Sequence, residues 1–182
     1  PMLVIGNQAM VNLTPDDADG LAQAVQKLGL PTWLGGSSRG LLGRHSDLQL
    51  RHKRSKAMKE CDFILVAGFP FDFRMGYGQK INKSATLVSV NLDTAALTKN
   101  RKPTHAVHAH PGHFLAQLAE LGSETQDLSG WFTTLKEREA ARDDEIRAKA
   151  SDQGPRVDPI HLFLRIEEKM SDDSIVIVDG GD

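Results

Sequence analysis

A chain of 182 residues with 22 Lys and Arg against 24 Asp and Glu carries a formal charge of −2, so no net positive field draws it to nucleic acid or another polyanion. Its single cysteine, Cys61, excludes an intrachain disulfide and the paired-cysteine zinc frameworks. The longest apolar run, Phe63 to Gly68, is far short of the roughly 20 residues of a membrane-spanning helix. Aromatics make up 5% of the chain while glycines number 16, a balance expected of an α/β fold with many tight turns, and a chain of this size buries roughly 70% of its unfolded surface.

In chain order, the run Leu3 to Ile5 before Gly6 predicts the first strand. Thr14 to Leu28 predicts a helix: Thr14 is placed to cap it, Pro15 sits at its first position, Asp16 and Asp17 complement the dipole, and Gly29 closes it. Its apolar residues Leu21, Ala24, Val25 and Leu28 recur at helical spacing. Further strands are expected at Thr32 to Leu34, Phe63 to Ala67, Leu87 to Val90 and Ala106 to Val107, and further helices at Leu48 to Glu60 and Pro111 to Leu121. Strands that are apolar throughout and alternate with helices imply a parallel sheet covered on both faces. The expected fold is therefore α/β, a doubly wound, mostly parallel Rossmann-like sheet of five or six strands over residues 1–122. From Ser123 the texture changes. Residues 123–157 read as a charged helical linker, a solvated connector whose helix runs from Leu135 to Ala150. Gly154-Pro155 breaks the chain, and Asp158-Pro159 opens a helix with the stripe Ile160, Phe163, Leu164, Ile166 and Met170, leading to a strand at Ile175 to Val178. Residues 158–182 thus read as the start of a second α/β domain. No signal-peptide pattern is recognised, and both ends read as cuts in a longer protein.

Ligands of open parallel sheets bind beyond the carboxyl ends of the strands. Those positions hold Gly6 and Asn7, then Gly35, Gly36, Arg39 and Gly40, then Gly68, Asp72 and Arg74, then Asp93. Glycines permit close backbone approach, Arg39 and Arg74 suit phosphate, and Asp93 suits a ribose hydroxyl. The set fits a nucleotide, yet G-x-G-x-x-G is absent and no Lys-Ser/Thr completes a P-loop; a role for the glycines in closing turns alone stays open. His105, His108, His110 and His113 resemble a metal cluster, but no carboxylate or cysteine joins them. Cys61 opens an apolar run and reads as a buried structural thiol. No Ser-His-Asp pattern stands out, so the chain reads as a binding domain without catalytic machinery.

The order of these motifs carries a resemblance. Gly35-Gly36-Ser37-Ser38-Arg39-Gly40-Leu41-Leu42-Gly43-Arg44, then Ala67-Gly68 with Phe71-Asp72-Phe73-Arg74, then Val90-Asn91-Leu92-Asp93 and the segment from Val107 to Phe114 together resemble the central domain of thiamine-diphosphate-dependent enzymes of the acetolactate synthase type. The likeness is greatest to the acetolactate synthase-like proteins of animals, relatives of the 2-hydroxyacyl-CoA lyases. It implies a three-domain enzyme using thiamine diphosphate and Mg2+, with residues 158–182 beginning the third domain and Gly180, Gly181 and Asp182 near the cofactor's diphosphate. The activating glutamate and the magnesium-binding Gly-Asp-Gly of such enzymes are missing from this chain, which is expected not to catalyse alone. The central domain of relatives receives FAD, ADP or the ADP part of coenzyme A. Asp72 and Arg74 match the last Asp and Arg of the synthases' Arg-Phe-Asp-Asp-Arg, whose first arginine is Phe69 or Pro70 here, and His110 stands where relatives usually carry aspartate.

The resemblance further implies a lyase or transferase that cleaves or forms a carbon–carbon bond beside a carbonyl, with a 2-hydroxyacyl-CoA preferred to 2-oxo acids as substrate. The implied partners are the missing N- and C-terminal domains of the same chain, a second copy in a homodimer or tetramer, and a small-molecule substrate. The animal proteins imply an endoplasmic reticulum membrane location. The alternative reading is a ligand-free scaffold that spaces the catalytic domains and supports dimerisation.

Overall fold

The computed structural model describes residues 1–122, 127–150, 155–171 and 173–177. Two compact units divide the chain, Pro1–Glu139 and Ala140–Asp182. In the first, six parallel strands run in the order β3-β2-β1-β4-β5-β6. They are β1 (Met2–Ile5), β2 (Thr32–Leu34), β3 (Gln49–Leu50), β4 (Phe63–Ala67), β5 (Thr86–Asn91) and β6 (His105–His108). The register pairs Val4 with both Trp33 and Val66, so β1 and β4 form the centre and the strand order reverses between them.

The apolar strands do not alternate because both of their faces are covered. Met2, Val4, Ile64, Val66 and Leu87 point to one face, where they pack with Ala57 and Met58 of α2 (Arg54–Glu60) and Leu135 of α5 (Ser129–Lys149). Leu3, Ile5, Leu65, Ala67 and Val90 point to the other, against Leu21 and Val25 of α1 (Pro15–Leu28) and Leu115 of α4 (Pro111–Glu120). The doubly wound architecture expected from the sequence is the one found.

Local chemistry sets the helix limits. Thr14 Oγ1 accepts from the Asp17 amide at 3.2 Å while Asp17 Oδ2 accepts from the Thr14 amide at 3.0 Å, a reciprocal cap worth about 1 kcal/mol. Gly29 ends α1 in the left-handed region at φ 63°. One element differs from expectation. The stretch Leu48 to Glu60 is not a single helix: Gln49–Leu50 pairs with Thr32–Trp33 as an edge strand, and α2 begins only at Arg54.

The charged stretch is also not solvated throughout. Leu135 is 3% exposed, Trp131 Nε1 donates to the carbonyl of Pro1 at 2.9 Å, and Arg138 and Lys136 pair with Glu60 and Asp47 at 2.6 and 2.7 Å. Two apolar anchors fix these turns, the exposed ion pairs adding little. In the second unit, Asp158 caps α6 (Pro159–Glu167) by accepting from the His161 amide at 2.8 Å, as expected. Among its described residues α6 buries none, and Ile175 to Ile177 belong to no strand. Val178, which completes the expected terminal strand, lies outside the described residues.

Candidate functional site

Beyond the carboxyl ends of β1, β2 and β3 lies a cleft of about 910 Å³. Asn7 enters from the end of β1, Gly35, Gly36 and Arg39 from the turn after β2, Arg51, Lys53, Arg54 and Ser55 from the β3–α2 junction, and Phe69 and Arg74 from the chain after β4. Five cationic side chains and no carboxylate line it. The walls come from the sheet's switch point, where a parallel sheet naturally leaves a crevice.

The five cations are not equivalent. The Glu139 carboxylate neutralises Arg51, accepting from its Nε at 3.3 Å and from the amides of Arg51 and His52 at 2.7 and 2.9 Å. Arg74 pairs with Asp72, Nη2 to Oδ2 at 2.5 Å and Nε to Oδ2 at 3.0 Å. The hydrogen bond from Arg74 holds the Asp72 carboxyl below the usual carboxylate range. Arg54 has a different environment: its Nη2 donates to the Arg74 carbonyl at 2.6 Å, and its guanidinium lies 5.6 Å from the Phe69 ring centre. No carboxylate pairs with it among the described residues. Burial pushes its pKa down, and the neighbouring charge of Arg39 adds to that. A desolvated guanidinium facing another and lacking a counter-ion gains most from an anion. Arg39 is exposed at the cleft mouth.

Because the Asp72 carboxyl is depressed in the folded state, the pair's stabilisation is present above the ordinary Asp value near 4 and disappears as pH falls through the lower folded value. Asp72→Asn is expected to lose stability at neutral pH and to converge with the unmodified protein under strongly acidic conditions. Parallel denaturant titrations check this; a gap independent of pH would deny the pairing its role.

The structure therefore brings Asn7, Gly35, Gly36, Arg39 and Arg74 to one cleft and leaves other expected residues apart. Asp72 serves Arg74 and caps the following turn. Asp93, after β5, does not line the cleft; its Oδ1 accepts from the Ala95 amide at 2.8 Å and starts α3 (Thr94–Thr98). The protein's own atoms fill the space beside most glycines. A side chain on Gly6 would overlap the Gly68 carbonyl, one on Gly35 the Phe69 ring, and one on Gly36 the Asn7 side chain, while Gly68 faces Ala9, Gln8 and Pro111. Only Gly40 among these opens on free space. Gly180, Gly181 and Asp182 lie outside the described residues.

Sequence reasoning missed Arg54, Lys53 and Ser55. The signal was the basic run Arg51-His52-Lys53-Arg54, which a continuous helix from Leu48 would have spread around its circumference. It missed Gln8 too, whose Oε1 accepts from the Leu92 amide at 2.9 Å and ties the ends of β1 and β5 together.

The remaining reactive side chains have structural work. His110 Nδ1 accepts from the His113 amide at 3.3 Å and caps α4, so its proton sits on Nε2, which donates to the Val11 carbonyl at 2.8 Å. His108 Nε2 lies 3.0 Å from the Leu92 carbonyl. Among the described residues no three His, Cys, Asp or Glu side chains converge to hold a metal ion. Cys61 is 3% exposed, and burial pushes its thiol up to about 11, far from the thiolate a nucleophile requires.

The family model for the thiamine pyrophosphate enzyme central domain matches residues 1–118. A 2-hydroxyacyl-CoA lyase 2 of Danio rerio is 37% identical over 187 aligned positions, covering 100% of this chain and 30% of the relative. The Homo sapiens 2-hydroxyacyl-CoA lyase 2 is 38% identical, covering 100% of this chain and 29% of the relative. A probable acetolactate synthase of Mycobacterium bovis is 26% identical over 162 positions, covering 89% of this chain and 29% of the relative. The chain thus spans about 30% of the length of the relatives it matches most strongly.

Proposed function

The chain belongs to the thiamine pyrophosphate enzymes, as their central domain, and from that premise we propose that it holds the ADP portion of a 2-hydroxyacyl-CoA or of a related nucleotide for a carbon–carbon lyase. The observation that carries this reading is Arg54, desolvated, close to Arg39 and without a carboxylate partner, in a cleft whose wall is basic. An anionic diphosphate supplies what that guanidinium lacks. The relatives named 2-hydroxyacyl-CoA lyase 2 support the choice of thioester over 2-oxo acid. Thiamine diphosphate supplies the carbanion chemistry of such enzymes. The described residues of this chain do not form a cradle for it and its magnesium, so no step of bond cleavage is assigned to them. In this reading the domain binds and positions, and the activity belongs to the longer protein.

The full-length protein, given thiamine diphosphate, magnesium and a 2-hydroxyacyl-CoA, is expected to release an aldehyde and formyl-CoA. Arg54→Ala removes a charge-assisted contact of roughly 1.5–3 kcal/mol, so KM for the thioester is expected to rise about tenfold to hundredfold with kcat little changed. Acetolactate from pyruvate with no cleavage of the thioester would overturn the substrate assignment. A second reading, a ligand-free scaffold, is favoured by the self-filled glycine turns. It predicts no heat of binding for ADP, coenzyme A or FAD.

A further inference from the structure

Phe69 divides the switch-point crevice in two. The large cleft on the β2 and β3 side and a cavity of about 140 Å³ against Gln8, Gly68 and Pro70 share three lining residues, Asn7, Phe69 and Arg74. These three form the partition between them. Each is fixed: Asn7 Oδ1 accepts from the Ser37 amide at 2.8 Å, Arg74 is clamped by Asp72, and Phe69 is 7% exposed, its ring packed into the space beside Gly6 and Gly35. The guanidiniums of Arg54 and Arg74 each lie 5.6 Å from its ring centre and hold it further.

A dinucleotide has two nucleotide halves joined through a diphosphate and lies across the strand ends on both sides of the switch point. Here the partition stands on that path, and the smaller cavity beyond it has no room for a three-ring flavin. A single nucleotide half needs only the larger cleft, and the narrow, flexible arm of coenzyme A leaves by the open mouth. Resting on the nucleotide reading above, we propose that Phe69 is a specificity-determining residue, which with Asn7 and Arg74 admits one adenine nucleotide half to the β2 and β3 side and excludes FAD.

Equilibrium binding of ADP, coenzyme A and FAD to the full-length protein tests this, with Phe69→Ala, Asn7→Ala and Arg54→Ala as variants. The unmodified protein is expected to bind ADP and coenzyme A with similar affinity and FAD at least about tenfold more weakly, a difference of roughly 1.4 kcal/mol. Phe69→Ala opens the partition and is expected to bring FAD to within about threefold of ADP. Asn7→Ala thins the same wall and gives a second reading of it should the Phe69 variant not fold. FAD binding as tightly as ADP to the unmodified protein, with Arg54→Ala weakening both, would overturn the partition while leaving the nucleotide site standing. An unchanged FAD to ADP ratio in folded Phe69→Ala and Asn7→Ala would likewise overturn it. Binding of none of the three ligands overturns the nucleotide site itself, and the selectivity with it.

Discussion

Replacing Gly6 by alanine is expected to destabilise the sheet domain by about 3 kcal/mol or more, a fall in melting temperature of roughly 6–12 °C for a chain of this length. The backbone there, φ −114° and ψ −175°, accepts any residue, so no torsional strain contributes. The cost is steric. A methyl group on Gly6 overlaps the Gly68 carbonyl and crowds the Phe69 ring, and neither neighbour has freedom to retreat. Gly68 is held by its amide, which donates to Val90 at 2.8 Å, and the Gly6 amide donates to Ala67 at 2.8 Å. Gly20 provides the contrast: it lies inside α1 with nothing within 4 Å of a new methyl. Gly20→Ala is therefore expected to stabilise by about 0.5–1 kcal/mol. Thermal unfolding followed by circular dichroism measures both. A Gly6→Ala protein melting with the unmodified one would mean that β1 and β4 end less tightly packed than described.

The second large effect separates two aromatics two residues apart. Phe71 is 1% exposed and packs in the same cluster as Met75 and Ile81, beneath the turn in which Gly76, Tyr77 and Gly78 all adopt positive φ. Its carbonyl accepts from Asn100 Nδ2 at 2.8 Å, so loss of the ring also loosens the support of the loop that delivers Arg74. Phe71→Ala is expected to cost about 3–5 kcal/mol, a large share of a typical total of roughly 5–15 kcal/mol. Phe73 is 73% exposed, and its removal is expected to shift stability by no more than about 0.5 kcal/mol. Urea titrations decide between them: the midpoint falls steeply for Phe71→Ala and stays for Phe73→Ala, with similar slopes. Equal losses would contradict the burial assigned to either ring.

Both residues lie in the motif Phe71-Asp72-Phe73-Arg74, and the sequence did not distinguish them. Apolar runs long enough to show a period located β1, β2, β4, β5 and β6, because continuous burial leaves a continuous hydrophobic signature. The cap and glycine stop of α1 were equally legible, since their partners lie within four residues. β3 was not. Two residues, Gln49 and Leu50, are too few to show any period, and their pairing with Thr32 and Trp33 depends on chain far away in sequence. With β3 unseen, Arg54 could not be placed at a strand end. The glycine turns were found, but not what fills them: Phe69 reaches Gly6 and Gly35 across more than thirty residues of chain, and nothing local in Gly68-Phe69-Pro70 announces that contact. Positions were readable where the determining contact is local, and roles were unreadable where it is not.

The short β3 strand has a consequence for self-association. It forms one border of the sheet, and just past it the Glu139 carboxylate occupies the outward amides of Arg51 and His52, donors on which an incoming chain would otherwise dock. Unpaired borders of this kind are where β proteins polymerise or exchange strands, and brevity together with charge is a known protection. At the opposite border β6 is four residues long, and among the described residues no strand covers its outer side. Growth of this sheet by addition of a further chain is therefore directed to β6.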